Sequence, residues 1–251
     1  MCWRMITRPS RRRRTRLLVI VIVIAAAIAL WTAIDGYFDR DPINFFAPRG
    51  PRRPVAALYF SGDSGLRFGM GPYAAKALAQ RGIDVTGFSS PAWFGVHRTR
   101  EEVNAAVADA IRQALARTGG DKLVVIGQSY GADILQTGLA ALPADLRPRI
   151  AAVVLVVPGE TVFFRADPLG LEYRGTPDSL GVNTVNAITW APLTCIYGAA
   201  ETDSLCPLVR LPHATIIRMP GGHFLDHDSD RLVGHVIEAI RRAVPAAFAE
   251  A

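Results

Sequence analysis

The sequence contains little cysteine and no internal repeat. Its 251 residues include three cysteines and five histidines, and they do not stand at the paired spacing that zinc sites require. We therefore expect no metal centre. Half of the residues are hydrophobic and a fifth are charged, a composition that excludes a disordered chain and indicates one globular domain with a sizeable core.

The excess of positive over negative charge is confined to the first sixteen residues. The formal net charge is +6, but a single N-terminal cluster supplies seven positive charges: Arg4, Arg8, Arg11, Arg12, Arg13, Arg14 and Arg16. The rest of the chain is nearly neutral, and it carries no RNA- or DNA-binding signature. We expect no nucleic-acid partner.

A long apolar run follows the arginines. It is uninterrupted from Leu17 to Trp31 and extends to Ile34, which is just long enough for a membrane span. Because basic residues precede the span, we predict a cytoplasmic tail at 1–16, a transmembrane anchor at 17–34 in the bacterial inner membrane, and a periplasmic domain. A cleaved signal peptide and a buried core helix are the alternatives, and Trp31 and Thr32 disfavour cleavage.

Residues 35–54 are rich in proline and lack apolar periodicity. This composition predicts a linker. Its Phe45 and Phe46 have two possible places, the membrane surface or the surface of the domain, and we favour the domain.

Aliphatic runs then alternate with helical patterns as far as residue 244. Runs at 55–60, 83–88, 122–127, 150–158, 192–198 and 214–219 are separated by helical patterns near 72–81 and 99–117, and a last helix begins near 231. Strands that are apolar throughout and separated by helices are typical of a parallel sheet covered on both faces. The sequence therefore predicts an α/β domain over 55–244.

Ser129 stands in the sequence Gly-Gln-Ser-Tyr-Gly, after an aliphatic run and before a helical pattern. This is the context of a nucleophile elbow, in which a serine is exposed on a tight turn between strand and helix. A serine that caps the helix is the alternative, but a cap does not need both glycines.

A nucleophilic serine needs an acid and a histidine, in that chain order. His223 lies in a glycine-rich loop after the last predicted strand and is favoured over His227. The acid should follow the strand at 192–198, where Asp203 and Glu201 are both candidates. We favour Asp203 because of its shorter reach, and Glu201 stays open.

Two further features belong to the same site. The amide of Tyr130, with that of Gly62 or Asp63, is expected to form the oxyanion hole. Cys195 and Cys206 bracket the acidic loop. In an oxidising compartment, a disulfide between them would hold this loop in place. Cys2 is expected to be a free thiol.

Six motifs in this order resemble the bacterial virulence protein family of VirJ and the C-terminal domain of AcvB. They are SGDSG, RTREEVNAAVADAI, GQSYGAD, LPADLRPR, CIYGAAETDSLCP and MPGGHFLD. The resemblance implies an α/β-hydrolase, exported to the periplasm, that hydrolyses aminoacylated phosphatidylglycerol without a cofactor. Ser129 and His223 match the family's nucleophile and histidine, and Asp203 lies in its acidic motif.

The chain departs from the family pattern in the pocket wall, where Leu66, Gln128, Tyr130 and Phe224 replace the usual residues. For a lysyl or alanyl ammonium group, the candidate ligands are Asp63, Asp133 and Glu160, and residues 161–190 occupy the place of a cap. A noncatalytic partner of secretion-system proteins and an esterase of another small substrate are the alternatives.

Overall fold

The structure, a computed structural model, describes residues 11–67, 69–119, 122–167 and 169–249, with the backbone alone at 11–14. The expected free thiol of Cys2 and most of the basic tail lie outside the described residues. The helices are α1 (Arg11–Ile34), α2 (Met70–Gln80), α3 (Ser90–Phe94), α4 (Arg100–Thr118), α5 (Tyr130–Ala140), α6 (Gly181–Val185) and α7 (Ser229–Ala243).

The strands form one large sheet and one small one. They are β1 (Ile43–Phe46), β2 (Val55–Phe60), β3 (Asp84–Phe88), β4 (Lys122–Gln128), β5 (Ile150–Val156), β6 (Thr161–Val162), β7 (Ser179–Leu180), β8 (Leu193–Gly198) and β9 (Thr215–Met219). The large sheet has the order β1-β3-β2-β4-β5-β8-β9 and is parallel except for β1. The predicted α/β fold is confirmed.

Helices cover both faces of the large sheet. One core cluster joins the sheet to α4 and α5 through side chains such as Ile111 and Ile134. The other joins it to α2 and α7 through side chains such as Leu78 and Val236. Because both faces are covered, the central strands are apolar at successive positions; all six residues of β2 are buried, for example.

The strands of a parallel sheet all end at one edge, and this edge carries the loops that hold the predicted site residues. We call it the carboxyl edge, defined by the last residues of β2, β3, β4, β5, β8 and β9. Because β1 runs antiparallel to β3, with Ile43 opposite Phe88, the chain enters β1 from this same edge. The C-terminal end of α1 therefore also lies near the carboxyl edge.

Helix α1 is exposed along its apolar length. A stretch of 20 residues, Thr15–Ile34, is long and apolar enough to cross a membrane, and none of it is buried. At 1.5 Å per residue it measures about 30 Å, the thickness of a bilayer's hydrocarbon core. Since a buried core helix would pack on the domain, that alternative is wrong.

Residues 35–54 do not form the linker that their composition predicts. Ile43–Phe46 is strand β1, the edge strand of the large sheet. Phe46 packs on the core, and the Arg117 guanidinium lies 4.0 Å from the centre of the Phe45 ring. Both phenylalanines therefore lie on the domain. The fold also extends past residue 244, because Ala247 is buried in the core.

The segment between β5 and β8 forms a small cap. Its strands β6 and β7 pair antiparallel. Phe163 and Phe164 are buried, whereas Leu169 and Leu171 are exposed. The cap therefore packs on the domain through its phenylalanines and turns other apolar side chains outward.

The predicted disulfide is confirmed. Cys195 in β8 and Cys206 are bonded, with their Cα atoms 5.5 Å apart. Both sulfur-bearing residues are fully buried. The bond closes the loop that carries Glu201 and Asp203, and it indicates an oxidising compartment.

We expect the double variant Cys195→Ala/Cys206→Ala to unfold more easily than the wild type. The disulfide spans 11 positions, and the unfolded chain gains about 3 kcal/mol of conformational freedom when such a loop opens. Urea unfolding of the oxidised wild type and the variant measures this difference. An unfolding free energy within about 1 kcal/mol of the wild type would show that the disulfide does not stabilise the loop.

Candidate active site

Ser129 occupies a strained turn between β4 and α5. Its φ of 53° and ψ of −128° lie in a region that side chains other than glycine rarely adopt. The Ser129 amide donates a hydrogen bond to the carbonyl of Val156, 2.8 Å away. This bond to the neighbouring strand holds the turn in place.

The flanking glycines are required by close approach. A Cβ atom on Gly131 would lie 2.2 Å from the carbonyl oxygen of Ser61, and one on Gly127 would lie 2.6 Å from the Cα of Ala132. Neither position has room for a side chain. The elbow geometry expected from the sequence is therefore present, and Ser129 does not cap α5 with its side chain.

His223 meets Ser129 directly. Its Nε2 lies 2.7 Å from the serine Oγ. The loop that carries it follows β9 and crosses the end of β8 so closely that a Cβ on Gly198 would lie 2.1 Å from the carbonyl oxygen of Gly222. This crossing brings the histidine over the elbow. His227, the other candidate, lines the same cavity but makes no contact with Ser129.

Glu201, not Asp203, holds the histidine. The Glu201 Oε1 accepts a hydrogen bond from His223 Nδ1 at 2.9 Å, and its Oε2 accepts one from the Gly198 amide at 2.8 Å. The Glu201 side chain is 6% exposed. A fixed, buried carboxylate at Nδ1 leaves Nε2 as the proton acceptor that faces the serine.

The preference for Asp203 is therefore wrong. Asp203 is exposed. Its backbone carbonyl accepts a hydrogen bond from the Glu160 amide at 2.9 Å. Side-chain reach does not decide the role, because β8 ends at Gly198 and its turn already places Glu201 under the histidine. The turn that positions Glu201 forms only in the fold, so the spacing of the two carboxylates carried no signal that separates them.

The loop after β2 supports the predicted oxyanion hole. A Cβ on Gly62 would lie 3.5 Å from the Cβ of Ser129, so the loop runs beside the nucleophile. Tyr130 is the first residue of α5, where an amide has no partner within the helix. Within the described ranges, the amides of Gly62 and Tyr130 donate to no protein acceptor. The amide of Asp63 likewise donates to no acceptor outside its own residue in the described ranges.

An open cavity of about 670 Å³ surrounds the serine. Four of its lining residues are acidic, and none of the described residues that line it is lysine or arginine. The four are Asp63, Asp133, Glu201 and Asp203. Because three of these carboxyls have no basic partner in the described lining, the cavity favours a cationic ligand over an anionic one.

Asp63 lies among aromatic hydroxyls. Tyr173 donates a hydrogen bond to its Oδ2 at 3.2 Å, and Tyr37 donates one to its backbone carbonyl at 3.1 Å. Burial raises the pKa of the Asp63 carboxyl, while the Tyr173 hydrogen bond and the nearby His223 ring lower it. A cation in the cavity would favour the charged form of this carboxyl.

Asp133 is held by the cap segment. Its Oδ1 accepts a hydrogen bond from the Gly159 amide at 2.8 Å. Burial raises the pKa of the Asp133 carboxyl well above its usual range, and the Gly159 hydrogen bond opposes that shift. Glu160 is different, because it is absent from the cavity lining and its backbone pairs with Asp203 and Gly181. Unlike Asp63 and Asp133, Glu160 is therefore not brought to the cavity.

The cavity also contains residues that sequence reasoning missed. Trp31, near the C-terminal end of α1, lines it, as do Met70 and Tyr173. Local sequence does not signal these contacts, because each residue reaches the site from a different part of the chain. Among the described residues, no group of three or more His, Cys, Asp or Glu side chains could hold a metal ion.

Solved structures with the same fold are α/β hydrolases. They include the α/β hydrolase GrgF from Penicillium sp. sh18, with 13% identity, 80% of this chain and 98% of that chain covered, and a TM-score of 0.60. Est1E from Butyrivibrio proteoclasticus, with ferulic acid bound, has 14% identity, coverage of 83% and 98%, and a TM-score of 0.61. XC6422 from Xanthomonas campestris, described as an α/β serine hydrolase without a lid, has 17% identity, coverage of 80% and 87%, and a TM-score of 0.54.

The sequence comparison points to one family. The family described as bacterial virulence protein (VirJ) matches residues 54–244. No curated protein matches the chain. The match covers the large sheet except for β1, together with the cap and α7.

We expect Glu201→Gln to lower kcat on an ester substrate by about 10²–10⁴-fold, since the glutamine amide can no longer fix the histidine tautomer or stabilise its cation. The matched control Asp203→Asn should stay within about threefold of the wild type, because that side chain does not touch His223. Steady-state kinetics on a soluble ester compare the two variants. A larger loss in Asp203→Asn would return the acid role to Asp203.

Proposed function

The chain belongs to the bacterial virulence protein (VirJ) family and has the α/β-hydrolase fold, and from this premise we propose that it is a membrane-anchored serine hydrolase. Its proposed substrate is the aminoacyl ester of aminoacylated phosphatidylglycerol, in the lysyl or alanyl form. The substrate class is inferred from the acidic cavity around Ser129, which has no lysine or arginine among its described lining residues.

The first half of the proposed reaction transfers the aminoacyl group to the protein. Ser129 Oγ attacks the ester carbonyl carbon while its proton moves to His223 Nε2, 2.7 Å away. Negative charge develops on the carbonyl oxygen, where the amides of Gly62 and Tyr130 would stabilise it. The bond to the glycerol oxygen breaks, that oxygen takes the proton from His223, and phosphatidylglycerol leaves.

The second half releases the amino acid. Water gives a proton to His223 Nε2 as its oxygen attacks the acyl-serine carbonyl, and the proton then returns to Ser129 Oγ when the acyl bond breaks. Glu201 stabilises the histidine cation in both halves through the 2.9 Å hydrogen bond to Nδ1. Free amino acid and the original serine result.

The carboxylates of the cavity support an acyl group that carries an ammonium group. Asp63 and Asp133 form no salt bridge with any lysine or arginine among the described residues. Burial removes the hydration water of a carboxylate, which costs free energy unless a cation lies beside the charge. A bound ammonium group would supply that cation. An acyl group with a free amine therefore fits this cavity better than a neutral or anionic one.

The proposed location is the periplasmic side of the bacterial inner membrane. Helix α1 is long enough for a single crossing, and the disulfide indicates an oxidising compartment for the domain. An enzyme held at the bilayer meets lipid headgroups at a high effective concentration. Anchor and disulfide thus support a position of the acidic cavity on the side where the proposed lipid would be cleaved.

The proposal is tested with purified full-length protein in vesicles that contain lysyl- or alanyl-phosphatidylglycerol. We expect the wild type to release free amino acid and phosphatidylglycerol, and Ser129→Ala to lose about 10⁴-fold or more of this activity. Ser229→Ala, which removes a hydroxyl at the start of α7, outside the cavity lining, is the matched control and should keep its activity. Mass spectrometry of the lipids measures both products.

Two outcomes would contradict the proposal in different ways. Equal release by the wild type and Ser129→Ala would contradict the serine mechanism. Hydrolysis of a soluble ester with no loss of the aminoacyl lipid would contradict the substrate and leave an esterase of another small substrate. A wild type that hydrolyses neither would favour a noncatalytic role, such as binding secretion-system proteins.

A further inference from the structure

The end of the membrane helix is fastened to the loop that carries the oxyanion-hole glycine. Arg67 Nη1 donates hydrogen bonds to the carbonyls of Ala33 and Ile34, at 2.9 and 3.0 Å. Its Nη2 donates to both carboxylate oxygens of Asp39, at 2.8 and 2.7 Å. The last carbonyls of a helix have no partner within it, so Arg67 satisfies them and ties α1 to the domain.

Close packing strengthens this junction. Gly65 has a φ of +71°, and a Cβ atom there would lie 2.4 Å from the carbonyl oxygen of Asp35. On the same loop, the backbone carbonyl of Asp63 accepts the hydrogen bond from Tyr37. Residues 35–39 therefore lie against the loop after β2, and no free segment separates the membrane helix from the domain.

Trp31 brings the membrane helix into the cavity itself. It lines the same cavity as Ser129 and His223, and it lies three residues before the end of the apolar span at Ile34. Three helical residues rise about 5 Å. The cavity thus borders α1 at the level where the helix leaves the bilayer.

Exposed apolar side chains surround this end of the molecule. Outside α1, several exposed large hydrophobic residues lie in segments that follow α1 or the carboxyl ends of strands, among them Phe38, Trp93, Val96, Leu169, Leu171 and Phe224. Phe38 is 71% exposed and Phe224, beside the catalytic histidine, is 64% exposed. Exposed apolar side chains that cluster on one face mark a surface that contacts protein or membrane.

We propose that this face, the carboxyl edge with its loops, is seated on the bilayer that holds α1, and that Trp31 is a wall of the catalytic cavity. The inference rests on the proposed function for the anchor and for the lipid substrate. Because the C-terminal end of α1 is joined to this face, a bilayer that holds α1 lies next to it. The headgroup ester of a lipid can then reach Ser129 while the acyl chains stay in the membrane.

The seating is tested without any substrate. Single cysteines are introduced by Phe224→Cys, Leu171→Cys or His213→Cys into full-length protein that carries Cys2→Ser, and each is labelled with a polarity-sensitive fluorophore. The protein is placed in bilayer nanodiscs that contain lipids brominated near the headgroup. His213 is exposed just before β9, at the edge opposite the loop of Phe224, and is the matched control.

We expect the lipids to quench the labels at 224 and 171 at least threefold more strongly than the label at 213. Equal quenching at the three positions would overturn the seating. Labels at 224 and 171 that the lipids quench weakly, and whose emission changes only when another protein is added, would also overturn it. The face would then be a protein-binding surface.

The role of Trp31 is tested by comparing Trp31→Ala with Leu30→Ala, its neighbour in the same turn, which is 63% exposed. We expect Trp31→Ala to lower the ratio of kcat/KM on the vesicle lipid to that on a soluble ester by about tenfold, and Leu30→Ala to keep the wild-type ratio. Equal losses on both substrates in Trp31→Ala would overturn its role as a wall for the lipid. If the wild type hydrolyses no lipid, the proposed function fails and the quenching pattern alone decides the seating.

Discussion

The site depends on the strained backbone at Ser129. A serine with a φ of 53° costs about 1–3 kcal/mol relative to a relaxed turn, so its surroundings must hold it. The hydrogen bond from the Ser129 amide to the Val156 carbonyl and the glycines on both sides of the serine hold this turn in place. The turn points Oγ out of the sheet at the carboxyl edge, and a second close crossing, at Gly198 and Gly222, brings His223 and Glu201 to meet it.

The charge of the carboxyls that line the cavity then determines which ligands the site favours. Glu201 accepts hydrogen bonds from His223 and from the Gly198 amide. Within the part of the chain that the structure describes, Asp63 and Asp133 have only neutral hydrogen-bond donors, from Tyr173 and Gly159. Burial raises the pKa of both carboxyls, which means that the empty cavity holds their negative charge poorly. A ligand that brings an ammonium group restores favourable conditions for that charge. Under the proposed function, the same feature that costs free energy in the protein alone would select the substrate.

The sequence predicts what depends on local pattern and misses what depends on long-range contact. Aliphatic runs identified β2 and the other central strands, and the glycine-serine-glycine motif identified the elbow, since each carries its own signal. Strand β1 was missed because prolines flank it and its pairing with β3 is formed only in the fold. Asp203 was preferred to Glu201 because the turn after Gly198 is not readable from spacing. Trp31 and Arg67 were missed because their partners lie far away in sequence.

The central claim is that the acidic cavity selects an ammonium-bearing acyl group. It is tested most directly by kcat/KM on two soluble lysine esters, one with free amines and one with both amines acetylated, for the wild type, Asp63→Asn and the remote control Asp109→Asn. We predict that the wild type prefers the free-amine ester by about tenfold or more, as expected for a charge-assisted hydrogen bond of 1.5–3 kcal/mol. Asp63→Asn should lose most of this preference and Asp109→Asn should keep it. A wild type that hydrolyses both esters equally, or prefers the acetylated one, would contradict the account.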